Sequence, residues 1–311
     1  MEKVLHMTQQ HAKSFPKLKW NKRYTGLVFV APWILGFSIF QLYPFAASFI
    51  YSFTDYSMGG ELHFIGLENY RYMFTVDPHF FKSLGVTIFY VLFSVPVKLF
   101  VALMVAMLMN TPLKGVNGFR TIYYIPSIMG GSVAVSVLWR AMFLKDGLVN
   151  SILSFFSLPH VDWFGNGILA LITISLLSVW QFGSSMVLFL AGLKQIPREL
   201  YEAASVDGAG KFTMFFRITL PQLTPIIFFN MVMQMIQALQ QFTAAFIVTN
   251  GGPMKWTYLF GMKLYEEAFT NFKVGYASAL SWILVLVVSV MTFSLFRSSS
   301  SWVHYEDGGE F

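Results

Sequence analysis

The sequence predicts an all-α membrane protein of about six spanning helices, and three observations carry that reading. Of its 311 residues, 56% are hydrophobic and only 12% charged, where a soluble domain carries about 25% charged residues. Six apolar stretches reach the length, about 20 residues, that a helix needs to cross the hydrocarbon core. Apolar residues run all round these stretches, and none alternates as the strands of a barrel would.

The first stretch lies in Tyr24–Thr54. A basic start before an apolar run also opens a secretory signal, but this run is far longer than a signal core and lacks a small-residue cleavage site, so it reads as a retained span. The second, Ser83–Leu113, is interrupted only by Lys98, which reads as structural, and Pro96 is expected to kink it. The third, Thr121–Trp139, is bounded by Arg120 and Arg140, the latter expected to snorkel to the outer interface. The fourth, Trp163–Leu193, and the fifth, Ile218–Met254, hold no charge, and the sixth, Val274–Phe296, stops at Arg297. The expected organisation is a cytoplasmic segment 1–23, a transmembrane domain 24–297 with its core at about 83–297, and a cytoplasmic tail 298–311.

Basic residues set the orientation. With the N-terminus inside, thirteen Lys and Arg fall on inner loops, among them Lys3, Lys13, Lys17, Lys19, Lys22, Arg23 and Lys114, against six on outer loops. Both termini are therefore expected in the cytoplasm, which agrees with an even number of spans. A net charge of +6 concentrated at span borders is a membrane signature and not a groove for nucleic acid. Cysteine is absent, so disulfides and thiolate metal sites are excluded. The spans contain no Asp, Glu or His, which argues against a membrane-embedded glycosyl-transfer enzyme. The alternative of an ion-coupled secondary transporter also ranks behind, because relay residues are missing and only Lys98 is ionisable within a span.

The inner loop Lys194–Pro221 has more structure than a connector needs. Pro197 suits the first turn of a helix, good helix formers follow to Val206, Gly208-Ala209-Gly210 breaks the run, and Lys211–Leu220 reads as a second short helix. Gly208-Ala209-Gly210-Lys211 is no phosphate loop: Ser205 stands at the first glycine position and Phe212 where a hydroxyl must hold magnesium.

Within this loop stand Glu202-Ala203-Ala204, three residues, Gly208, nine residues, Ile218, one residue, and Leu220-Pro221. That pattern resembles the cytoplasmic signature loop of ABC importer permeases. Further stretches resemble the carbohydrate-uptake branch of maltose and glycerol-phosphate type: Ala31-Pro32-Trp33 through Ser52-Phe53-Thr54-Asp55; Phe64-Ile65-Gly66-Leu67-Glu68-Asn69-Tyr70; Phe119-Arg120 through Ile125-Pro126; and Gly251-Gly252-Pro253 with Gly275-Tyr276-Ala277-Ser278-Ala279. The resemblance covers roughly residues 24–297. It implies a permease subunit in a bacterial cytoplasmic membrane, with a cytoplasmic coupling helix between spans four and five that docks in an ATPase cleft through Glu202, Ala203, Ala204 and Gly208, with Leu220 and Pro221 closing the motif. It also implies a second similar permease, two ATPase subunits that carry ATP and magnesium, and an extracytoplasmic solute-binding protein. No cofactor is expected on this chain.

Polar residues in a span usually face the bundle interior or a wet cavity. In the fifth stretch Asn230, Gln234, Gln237 and Gln241 fall within a stripe of roughly 60° if the helix is continuous. Amides both donate and accept, which suits sugar hydroxyls, and Phe242 offers a ring for stacking. The competing reading is that these amides bond neighbouring helices. Trp180 and Gln181 in the fourth stretch are a weaker pair of candidates.

Overall fold

The computed structural model describes residues 22–111 and 115–304. The basic segment 1–21, Lys114 and the tail beyond His304, all used in the reading above, lie outside the described residues. Among the described residues there is no strand, only an isolated bridge between Thr54 and Phe64.

The chain divides into two units, Met1–Ile50 and Tyr51–Phe311. The first unit holds α1 (Lys22–Phe37), which continues through a π turn at Ser38–Leu42 into α2 (Tyr43–Tyr51). The run Phe29–Tyr51 is long and apolar enough to cross a membrane. Trp33 and Phe37, one turn apart, stack at 5.4 Å between ring centroids.

In the second unit α3 (Glu68–Thr75) leads into α4 (Phe80–Met109), and then come α5 (Val116–Met129), α6 (Val133–Met142), α7 (Leu148–Phe155), α8 (Gly167–Trp180) and α9 (Gly183–Gln195). After these follow α10 (Arg198–Val206), α11 (Lys211–Met214), α12 (Leu220–Leu239), α13 (Phe260–Tyr265) and α14 (Val274–Ser299). The core forms around α4. Tyr90, Val95, Leu99, Ala102 and Ala106 are buried against Ile174 and Leu177 of α8, Met186 and Phe189 of α9, and Leu223, Met235 and Leu239 of α12. The expected kink does not end α4: the helix runs through Pro96 unbroken. Lys98 is buried in it, and no carboxylate among the described residues pairs with it.

Two stretches that read as single spans are broken. The third bends by 104° between α5 and α6, at Gly130-Gly131-Ser132, and the fourth bends by 48° between α8 and α9, at Gln181-Phe182. Glycine is a poor helix former, and a break inside a bilayer survives only where its freed backbone groups find partners. Here each break supplies the other. The Gln181 side-chain amide donates to the Gly130 carbonyl at 2.8 Å, and the Ser127 hydroxyl donates to the Gln181 carbonyl at 3.1 Å while accepting from the Ser184 amide at 3.0 Å. A Cβ at Gly183 would lie 2.6 Å from the Tyr123 carbonyl oxygen, so this glycine lets α5 approach the start of α9.

The fifth stretch is also shorter than a continuous span from Ile218 to Met254. The helix α12 stops at Leu239, a π turn forms at Ala245–Thr249, and Asn250 and Gly251 then adopt left-handed backbone at φ 49° and 78°. The sixth stretch forms α14 as expected, and the chain beyond it folds back. The His304 amide donates to the Thr224 hydroxyl at 2.9 Å, and the Trp302 ring meets Phe228 edge-on at 6.1 Å.

Candidate functional site

The loop from Lys194 to Pro221 folds as two short helices around a glycine stop. Pro197 stands at the N-cap, outside the first turn where it was expected: its φ of −59° suits a helix, but its ψ of 136° is extended, and α10 begins at the next residue. At the other end the Ala209 amide donates to the Ala204 carbonyl at 2.9 Å and the Gly208 amide to the Ser205 carbonyl at 3.1 Å. Those are the paired bonds of a Schellman stop, and they place Gly208 at φ 76°. A Cβ on Gly208 would touch nothing within 4 Å, so the constraint there is the backbone conformation and not space.

The exposed surface of α10 carries Glu202 and Ala203, with Ala204 half-buried. Val206 and Phe212 are 89% and 84% exposed, unusually bare for apolar residues and suited to cover by a partner. The opposite face holds Tyr201, whose hydroxyl pairs with the Thr219 hydroxyl at 2.9 Å. Thr219 ends the π turn Phe215–Thr219, and Leu220 and Pro221 open α12. The exposed helix is therefore tied by a hydrogen bond to the foot of a core helix.

Along α12 the structure separates the four amides. Asn230 and Gln234 are buried within the chain, and Asn230 donates to the Ile226 carbonyl of its own helix at 3.1 Å. Gln237 is exposed, on a face shared with Phe229, Met233 and Gln240. Gln241 lies beyond the helix end, half-buried, and its side-chain oxygen accepts from the Phe242 amide at 3.0 Å. The even stripe expected from a continuous helix is thus divided, because α12 ends at Leu239 and its buried face cuts between Gln234 and Gln237. Phe242 packs on Phe246 at 5.1 Å and on Tyr265 at 4.7 Å. Trp180 packs on Trp139 at 5.9 Å, and its neighbour Gln181 is spent on the break at Gly130.

At the end of the bundle away from this loop lies a cluster that sequence reasoning missed. Lys263 reaches Asp77 at 2.5 Å and Glu267 at 3.6 Å, Tyr276 donates its phenol to Asp77, and the His79 amide donates to the other Asp77 oxygen at 2.9 Å. Burial works to raise the Asp77 carboxyl, but these donors and the Lys263 charge hold it below its ordinary range. Burial and the positive charges of Lys255, Lys263 and Lys82 keep His79 below its ordinary value. Tyr258 donates to Glu266, and burial together with that carboxylate pushes its phenol up. One signal was visible in advance: the motif residues converge here. The Asn69 side chain donates to the Ser52 and Thr54 carbonyls at 2.9 and 2.8 Å, Tyr70 donates to the Ser52 hydroxyl at 2.9 Å, and the Gly275 amide donates to the Tyr56 carbonyl at 2.8 Å. A side chain at Gly275 would run into the Thr54 carbonyl. The stretches around 52–55, 64–70 and 275–279 thus tie one knot.

The family model described as "Binding-protein-dependent transport system inner membrane component" matches residues 79–300, which takes in everything from α4 to α14. The chain belongs to that family. This permease is 49% identical over 288 residues to the probable ABC transporter permease protein YesP of Bacillus subtilis strain 168, covering 92% of this chain and 93% of that protein. It is 34% identical over 293 residues to the sulfoquinovosyl glycerol transport system permease protein SmoG of Agrobacterium fabrum strain C58, covering 92% and 95%. A solved bacterial alginate ABC transporter, in complex with an alginate pentasaccharide-bound periplasmic protein, has a chain that superposes with a TM-score of 0.74 over 89% of the permease and 95% of that chain. The identity there is 23%, so this likeness shows the fold. The permease is a multi-pass membrane protein of the all-α class, as its sequence predicts.

Proposed function

We propose that this permease forms half of the translocation path of a bacterial sugar or oligosaccharide importer, working by alternating access. A second similar permease completes the path, two ATPase subunits hydrolyse ATP with magnesium, and a binding protein delivers the sugar from outside. Both termini and the 194–221 loop face the cytoplasm. The observation that carries the reading is the exposed α10, closed by Gly208 and tied through Tyr201 to Thr219 at the foot of α12. A partner that grips Glu202, Ala203 and Ala204 moves α12 with α10, and α12 bears Asn230, Gln234 and the exposed Gln237, which with Gln241, Phe242 and Trp180 make up the proposed path. Sugar as the substrate class is supported by what the SmoG relative and the alginate transporter are named for.

The test is purification of the tagged permease from membranes with its associated subunits. An ATPase should co-purify, and sugar-loaded binding protein should stimulate its turnover. A cysteine introduced by Ser205→Cys, in a chain with none of its own, should resist impermeant reagent added outside intact cells. Labelling from outside, or a permease that purifies without an ATPase, overturns the proposal.

A further inference from the structure

At the end of the bundle opposite the 194–217 loop a cavity of about 300 Å³ opens between the chain after α12 and the chain after α13. That volume is at the small end for organic-ligand sites. Its lining includes Phe246, Asn250, Lys255, Tyr265, Glu266 and Thr270. Three independent features mark it.

The first is a run of rings. Phe242, Tyr265 and Phe269 follow one another at centroid distances of 4.7 and 5.1 Å, and Phe246 lies 5.5 Å from Tyr265. Phe246, Tyr265 and Phe269 are 40, 36 and 57% exposed, so the run leads from the half-buried Phe242 to open surface. The second is polar chemistry around these rings. Asn250 brings an amide and Thr270 a hydroxyl, and Glu266 spends one oxygen on Tyr258 and keeps the other. The Lys255 ammonium sits 4.3 Å over the Tyr258 ring, with no carboxylate partner among the described residues. The third is the backbone. Both walls are π turns, Ala245–Thr249 and Glu266–Thr270, a form enriched at functional sites. Asn250, Met254 and Lys255 hold left-handed φ of 49, 45 and 60°, which non-glycine residues adopt only where surroundings enforce it. The enforcement is visible: Thr257 donates to the Gly252 carbonyl at 2.8 Å and pairs with Thr249 at 2.7 Å, and Lys82 donates to the Met254 carbonyl at 2.6 Å.

We infer that this cavity is a subsite for a single sugar ring, which stacks its C–H face on Tyr265 and Phe246 and bonds its hydroxyls to Asn250, Lys255 and Glu266. The rings at Tyr265 and Phe242 then lead it towards Gln237 and Gln241. An apolar helix seated here would strand the amide, ammonium and carboxylate without partners, whereas a sugar satisfies rings and polar groups together. The inference rests on the reading of the permease as a sugar importer.

The experiment uses the complete reconstituted complex with its binding protein, and sulfoquinovosyl glycerol, maltotriose and an alginate trisaccharide as probes. In a Thr270→Cys variant, whichever probe is imported should slow maleimide labelling. In Tyr265→Ala, sugar imported per ATP hydrolysed should fall about fivefold, and Tyr265→Phe should restore the ratio. Import of a probe without protection at position 270, or an unchanged ratio in Tyr265→Ala, overturns the subsite and leaves the importer reading standing. Labelling blocked equally with and without sugar shows that another subunit covers the cavity and overturns it too. A complex that takes up no sugar removes the importer reading and the subsite together.

Discussion

Asp77 and Lys263 meet at 2.5 Å with side chains only 5 and 2% exposed, the most buried ion pair among the described residues, and they join the lead-in to α4 to α13. Tyr276 brings α14 to the same carboxylate. Removing one partner of such a pair leaves an uncompensated charge and costs about 3–5 kcal/mol, while replacing both by neutral groups costs far less. Lys263→Met should therefore lower the unfolding temperature of the purified permease sharply, and Lys263→Met with Asp77→Asn should recover much of the loss. Asp77 in the folded chain ionises below its ordinary 3.8, so its contribution is complete above that pH and is lost as the pH falls through the folded value. The stability gap between wild type and Asp77→Asn should accordingly begin to narrow below about pH 4 and close as the pH falls through the folded value. A gap that stays constant down to strong acid would show that the pair is not what stabilises this junction.

The division of the α12 amides gives a comparison between neighbours. Gln237→Leu should reduce sugar uptake and leave assembly and basal ATP turnover intact, because Gln237 is exposed. Gln234→Leu, at a buried position, should show first as altered stability of the purified chain. If Gln237→Leu makes the complex fall apart, that amide bonds helices and does not meet the sugar.

The α10 stop makes the sharpest case. Gly208→Val forces a Cβ into left-handed backbone, at about 1–2 kcal/mol, and Ala203→Trp fills the exposed face of α10. Both should insert normally, since no apolar span is touched. Uptake should fail in both, and stimulation of ATP hydrolysis by loaded binding protein should fail with it. Tyr201→Phe removes only the hydroxyl pair to Thr219, worth about 1 kcal/mol, and should weaken coupling without abolishing it. Wild-type coupling in the first two variants would make the loop a passive connector.

Hydropathy located the second and sixth spans to within about four residues at each end, because α4 and α14 are unbroken apolar helices. It ran through the breaks at Gly130 and Gln181, since glycine, serine and glutamine lower a window average too little to register. The glycine pair at Gly130-Gly131 was the available sign. The loop motif was legible down to Gly208, whose left-handed backbone is a local requirement that one residue type answers. The Asp77 cluster was not, because its partners lie up to 199 positions apart in the chain and only folding brings them together. The amide stripe was legible only in part: a wheel gives angles between side chains, but not where a helix ends or which side its neighbours cover.

The helix α9 is a rod of 13 residues, about 20 Å long, with the 194–217 loop at one end and the bend at Gln181 at the other. In the proposed cycle, a push on the loop would reach well into the hydrocarbon core, about 30 Å thick, before it met a joint. There the stroke would become a swing about Gln181 instead of a slide of the whole fourth stretch. Because Ser127 and Gln181 bolt that joint to the elbow at Gly130, the swing would drag the third stretch with it. One short stroke at the loop would then turn two walls of the bundle.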